Sequence, residues 1–198
     1  MSNSLISPRL NLENDMSYPK LPPWPFIDPE SPPEGYLKVG ESTDRARISA
    51  TLIPVWHFFV ANEHLIVVKK VWIEGRSGRS GIHATTQYEY PIDGARWFVD
   101  TVERFFMPPD HPNAVPRGEI TIEEAVSEEI LGVTRGAWFG GQHIPGYSFD
   151  NLNRIEHSTL LPEGPYCQMF EMGDPWLFED GLLDLFKEIA RRHENGEF

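Results

Sequence analysis

Cysteine is nearly missing from this sequence: Cys167 is the single one in 198 residues. One thiol can form no intramolecular disulfide and no thiolate-rich zinc site, so a reducing compartment is the expectation. Long apolar runs are missing too. The richest, LIPVWHFFVA, is short and proline-interrupted, and the opening MSNSLISPRLNLEND has neither a basic n-region nor a continuous apolar core. The expected location is cytoplasmic, with no membrane partner. Seven histidines occur without HxH, HxxxH or HExxH spacing, so there is no local metal motif, and neither metal nor cofactor is expected. WFGGQHIPG lacks the Lys-Ser/Thr of a phosphate-binding loop and is not a G-x-G-x-x-G after a strand; it reads as a ring-bearing surface loop or a tight turn. Basic residues are scarce. Seventeen lysines and arginines against thirty aspartates and glutamates leave a net charge of −13, which opposes broad binding to duplex DNA or an anionic membrane.

What is present is a globular composition. Apolar residues make up 40% and aromatics 12%, enough for a packed core, while 18 prolines and 16 glycines imply many turns and short elements. Eight prolines fall in residues 1–36, centred on KLPPWPFIDPESPP, which reads as an extended arm. Its Trp24 and Phe26 either anchor the arm on its own domain or offer it to a partner. Residues 37–198 read as one α+β domain, with a sheet-plus-helix module over 37–110 and a helical, glycine- and aromatic-rich part over 111–198.

The most regular stretch is His64 to Phe106. HLIVVKKVWIE is apolar on both faces and reads as a strand inside a sheet. In IHATTQYEY, Ile82, Ala84, Thr86, Tyr88 and Tyr90 alternate with His83, Thr85, Gln87 and Glu89, predicting one packed and one wet face. GARWFVDTVERFF is an amphipathic helix capped by Asp93, with Arg96, Asp100 and Arg104 paired along its outside. Upstream, YLKVG, RARISATLIPV and WHFFVAN supply two or three further strands, with Gly40 at a turn and Pro54 at a bulge or break. Downstream, a capping box (Thr121, Glu124), the stripe Ile122, Ala125, Val126 and Ile130, and Gly132 as a stop predict a short helix over 121–131. Asp174 and Pro175 open a last helix reaching His193, with Phe178, Leu182, Leu185, Phe186 and Ile189 on its apolar side. The expected fold is α+β: a mainly antiparallel sheet packed by two long helices and one shorter one, in an order that allows two β-β-β-α units.

Three functions stay open. Cys167 with His143 or His157 and Asp150 or Asn151 has the residue types of a cysteine hydrolase, although PYCQMF places the thiol among apolar neighbours. Glu123, Glu124, Glu128 and Glu129 form an acidic patch on the predicted short helix, fit for an inhibitor, adaptor or nucleic-acid mimic that binds a basic protein, with the arm as a clamp through Trp24 and Phe26. Third, Lys69, Lys70, Arg76 and Arg79 face the lone acid Glu74 around the GRSGRSG turn, beside Trp72, Tyr88 and Tyr90, so cations and stacking rings meet at one hairpin.

The run VVKKVWIEGRSGRSGIHATTQYEYPIDGARWFVDTVERFF resembles a repeat of the PUR (purine-rich-element-binding) family, in which strands, an arginine-glycine turn and a last strand lead into a helix. The resemblance covers about a fifth of the chain, and the acidic remainder departs from it. It implies contact with single-stranded nucleic acid through Lys69, Lys70, Arg76 and Arg79, with Trp72 and Tyr88 as stacking rings. The leading expectation is therefore a non-enzymatic regulatory protein that contacts single-stranded nucleic acid, or a phosphate-bearing partner, through this hairpin.

Overall fold

The computed structural model describes residues 18–47, 54–74, 80–160 and 166–198. Among the described residues, nine strands form two antiparallel sheets. In the first, β1 (Leu37–Thr43), β2 (Val55–Ala61), β3 (His64–Ile73), β4 (Ile82–Pro91) and the two-residue β8 (His157–Ser158) lie side by side in that order. The second runs β5 (Thr121–Val126), β6 (Glu129–Gly136), β7 (Gly146–Ile155) and β9 (Cys167–Gly173). The doubly apolar β3 sits inside its sheet, between β2 and β4. Two helices, α1 (Gly94–Arg104) and α2 (Leu182–Glu194), follow the two runs of strands and pack on one side of both sheets.

The α+β class holds, but the units differ from β-β-β-α, since four strands precede α1 and five precede α2. The helices have 11 and 13 residues. The predicted helix over 121–131 is instead the β5–β6 hairpin, in which Ile122 pairs with Val133 and Val126 with Glu129. Ile122, Glu124 and Val126 share a face at period two as readily as the stripe fits a helix, and pairing of β6 with β7 decides between them. Gly132, expected to stop that helix, lies within β6. Gly40 likewise lies inside β1, at a register shift where Leu185 of α2 packs against its backbone and a Cβ would meet that side chain. The last helix is shorter than expected. Asp174 and Pro175 open a separate π-helical turn (Pro175–Glu179), and α2 begins only after Gly181, whose φ is 84°.

One core joins the two sheets and both helices. Tyr90 of β4 stacks on Phe149 of β7 at 4.0 Å between centroids and donates its hydroxyl to the Phe149 carbonyl at 2.8 Å. Phe98 of α1 and Phe186 of α2 close over Phe149, while Trp56, Tyr88, Phe170 and Trp176 fill the other end. Burying rings of this size is the main stabilising contribution available to a chain without disulfides. On the opposite face of the first sheet, Phe59, Ala61, Ile66 and Val68 are covered by the arm through Ile27, Trp24 and Tyr36.

Candidate functional site

Gln87 and Glu89 alternate with the core residues of β4 and were expected to be wet, yet both are fully buried. They line a seam where β3 and β4 meet β6, β7 and β9; there Glu89, Arg154 and His64, to which the sequence reading gave no role, meet Glu129 and His157, to which it gave other ones. The Glu89 carboxylate accepts from Gln87 at 2.9 Å, Gln168 at 2.8 Å and His157 Nδ1 at 3.1 Å. The Glu129 carboxylate accepts from Asn151 at 2.6 Å and from two nitrogens of Arg154 at 2.9 and 2.7 Å. Arg154 also lies 3.7 Å from Glu89, so one guanidinium serves two carboxylates, and all three residues are less than 6% exposed.

Two carboxylates and one guanidinium leave the seam one negative charge in excess, and protonating one imidazole neutralises it. His64 is placed for that role. Its Nδ1 lies 2.9 Å from the Asn62 carbonyl and its Nε2 3.1 Å from Glu129, so each ring nitrogen has an acceptor within reach, although Nε2 also lies 3.2 Å from the Arg154 guanidinium, which can only donate. Burial pushes the His64 pKa down and the neighbouring Arg154 opposes protonation, but the bonds to Glu129 and Asn62 outweigh them and raise it. For Glu129, burial is likewise outweighed, here by His64, Arg154 and Asn151, which bring its pKa to about 2.

The arm roofs this seam. Pro19, Pro22 and Pro25 present carbonyls to Asn153 (2.8 Å), Arg154 (3.3 Å) and Gln87 (3.2 Å), and the Ile27 N–H donates to Gln87 at 3.0 Å. Phe26 stacks on His157 with centroids 3.6 Å apart, and Trp24 lies 5.0 Å from His64. Both rings therefore rest on the domain itself.

The basic hairpin fares unevenly. Trp72 is 50% exposed at its outer end, near exposed Ile73 and Ile82, where β3 and β4 run on beyond the last pairing with β2. Tyr88 is not a surface ring: it is buried against Trp56 and Phe170, and burial raises its pKa. Lys70 is held by Asp28 at 2.7 Å and Glu30 at 3.5 Å, both from the arm, and the Lys69 ammonium lies 4.3 Å over the Trp56 ring. Arg76 and Arg79 lie outside the described residues.

The acidic patch is redistributed as well. Glu129 is buried in the seam, and Glu124 is tied to Arg104 at 2.6 Å and Trp97 at 3.0 Å. Glu123 and Glu128 remain exposed, Glu123 accepting from the Tyr18 hydroxyl. Glu128 is the second residue of the β5–β6 turn, and Glu63 holds the same place between β2 and β3, with φ of 73° and 60°. The two turns flank Asp93, since Ile92 N–H donates to the Glu63 carbonyl and Ser127 to the Asp93 carboxylate. Asp93 thus sits at the start of α1 but makes no side-chain cap; it faces Ser127 and His193. Along α1, Arg96 approaches Asp100 at 3.8 Å, whereas Arg104 is drawn to Glu124.

Among the described residues, every lysine and arginine except Lys20, Lys69 and Arg117 forms an ion pair with a described carboxylate. The hydrolase residues are each engaged in other contacts. Cys167 is buried on β9 opposite Ile155, His143 lies tilted against Trp138 in the loop after β6, His157 is engaged by Glu89 and Phe26, and Asn151 donates to Glu129. No group of three histidine, cysteine or acidic side chains among the described residues is arranged to hold a metal ion, and no described helix is long and apolar enough to cross a membrane. Comparison of the chain with protein-family models, curated proteins and solved structures returned no match.

Proposed function

We propose that this is a non-enzymatic binding protein whose acidic surface docks on a basic protein, acting as an inhibitor, adaptor or nucleic-acid mimic. One observation carries the reading: the cations of the described residues are almost all neutralised within the chain, so the charge left free outside is negative. Such a surface steers a basic partner and repels phosphate backbones. The Glu63 and Glu128 turns with nearby Glu123 are the best-placed part of it, in place of the helical patch read from the sequence.

The charge-reversed variant Glu63→Lys/Glu123→Lys/Glu128→Lys tests this, with each captured host protein identified and then rebound in purified form. A partner of basic isoelectric point is expected to bind wild type in a salt-sensitive manner and to lose at least about tenfold in affinity with the variant. Undiminished binding by the variant overturns the placement, and recovery of nucleic acid in place of protein overturns the reading.

That last outcome would favour single-stranded nucleic acid on the β3–β4 hairpin, for which exposed Trp72 is the supporting observation. Strands β3 and β4 and helix α1 follow one another in the chain, an order that many α+β folds share. With Tyr88 in the core and Lys70 neutralised by the arm, the described part of this footprint shrinks to Trp72 and Lys69.

A further inference from the structure

We propose that the groove over the seam is a recognition site for an extended proline-aromatic peptide, and that the arm is its detachable occupant in cis, replaceable by a segment of the same pattern from another protein. The groove holds the arm chiefly through its backbone. Side chains of Asn153, Arg154 and Gln87 donate to the carbonyls of Pro19, Pro22 and Pro25, and Gln87 also receives the Ile27 N–H. Bonds of this kind read an extended, proline-rich backbone whatever its side chains, as grooves for polyproline-type segments do. Selectivity then rests on three side chains: Trp24 against His64, Phe26 stacked on His157, and Asp28 paired with Lys70 at 2.7 Å. Ile27 adds a fourth, buried in one cluster with Phe59, Ala61, Ile66 and Val68, so the pattern admitted is ring, proline, ring, aliphatic residue, acid.

Two features make the arm removable. Within residues 18–36 only Ile27 and Pro29 are buried and Phe26 keeps 40% of its surface in solvent, so the arm's apolar hold is local: Ile27, with half-buried Trp24 and Tyr36, over Phe59, Ala61, Ile66 and Val68. Segments with so few buried contacts occupy the low end of local opening free energies. The groups that would lose their partners on release, the Arg154 guanidinium and the amides of Gln87 and Asn153, are strong donors that take up water instead, so opening strands no apolar-locked polar atom. The link from the arm to β1, residues 31–35, is exposed, with only the turn bonds Ser31 N–H to Asp28 and Tyr36 N–H to Pro33 marking its ends. A competitor in trans faces a tethered arm at an effective concentration on the order of millimolar, so cis occupancy masks the groove in the resting protein.

The test uses the full chain and a fluorescent peptide of residues 18–30. In a chain carrying Phe26→Ala and Asp28→Ala, the peptide is expected to bind at least about tenfold more tightly than to wild type, because the cis competitor is weakened. Adding Lys70→Glu to that chain should abolish binding of the native peptide and restore it for a peptide carrying Asp28→Lys. Equal binding of a scrambled peptide, failure of the charge exchange in a chain with native circular dichroism, or no binding up to millimolar peptide overturns the proposal. Should the weakened chain not fold, hydrogen exchange on wild type decides. The Leu21 and Ile27 amides are expected to exchange at least about a hundredfold faster than those of β3, and equal protection makes the arm a permanent part of the fold.

Discussion

Arg154 stands between two buried carboxylates, and removing it would leave Glu89 and Glu129 without the guanidinium they share. Arg154→Met is therefore expected to cost about 3–5 kcal/mol in urea unfolding, far more than loss of an exposed pair such as Lys38 with Glu41, which is worth about 0–1 kcal/mol. Replacing both acids by glutamine in the same chain should recover much of that loss, because the penalty lies in the stranded charges. The seam also sets a pH response. The folded pKa of Glu129, about 2, lies below its usual 4.5, so its contribution is fully present above pH 4.5 and fades as pH falls towards 2. A difference of this size corresponds to about 3 kcal/mol. Urea midpoints measured from pH 5 to pH 2 should fall steeply for wild type and less for Glu129→Gln; parallel curves would assign the acid sensitivity elsewhere. His64 works with the opposite sign. With its pKa raised, its contribution is complete below pH 6.5 and is lost as pH rises through the folded value.

Among the elements, the two hairpin turns that bring Glu63 and Glu128 beside Asp93 are the most constrained. Asn62 and Glu63, and Ser127 and Glu128, all have positive φ, the geometry of the tight hairpin turns for which Asn-Gly is preferred. A glutamate at the second position carries a backbone cost that glycine avoids. Glu63→Gly and Glu128→Gly are each expected to stabilise the fold by up to about 1 kcal/mol in thermal unfolding; a loss of stability would show that these side chains hold the turns together. The same turns mark where the sequence reading succeeded and failed. Strand β3 was legible as a ten-residue run apolar on both faces, and β4 and α1 because each carries ten or more residues of one period. The β5–β6 hairpin was not, because its six-residue strand fits both periods and Ser127-Glu128 lacks the glycine that would have announced a turn. Asp174 and Pro175 were correct start signals for a helical turn, but Gly181 ends it and starts α2 afresh.

For the whole molecule, a net charge of −13 sets self-repulsion against a dense network of internal pairs. Screening should relieve the long-range repulsion more than it weakens short or buried pairs. The melting temperature is therefore expected to rise as ionic strength goes from about 0.01 M to 0.15 M, over which the Debye length falls from about 30 to 8 Å. A falling melting temperature would mean that exposed pairs dominate. The seam was illegible for a reason of the same scale. Gln87 and Glu89 look solvent-facing within β4, and only the approach of Gln168 from β9, Arg154 from the end of β7 and the arm from above encloses them. A one-strand pattern carries no trace of a second sheet. The arm itself was readable as extended from its prolines, and of its two open roles the domain-anchoring one is what Trp24 and Phe26 perform in this structure.

The arm is also the first described part of the chain to be synthesised, whereas Lys20 and Leu21 bond to Leu152 and Asn153, more than 130 residues later. Its later part, Trp24 to Asp28, can meet the first sheet as soon as β4 is made, but residues 19–22 wait for β7. Its prolines disfavour early helix formation and leave few backbone donors for premature strand pairing, so the nascent chain can carry it without trapping the first sheet in a wrong pairing. Closing a loop of that length has to wait for β7, so the Lys20 and Leu21 end of the roof is expected to dock after the Ile27 end.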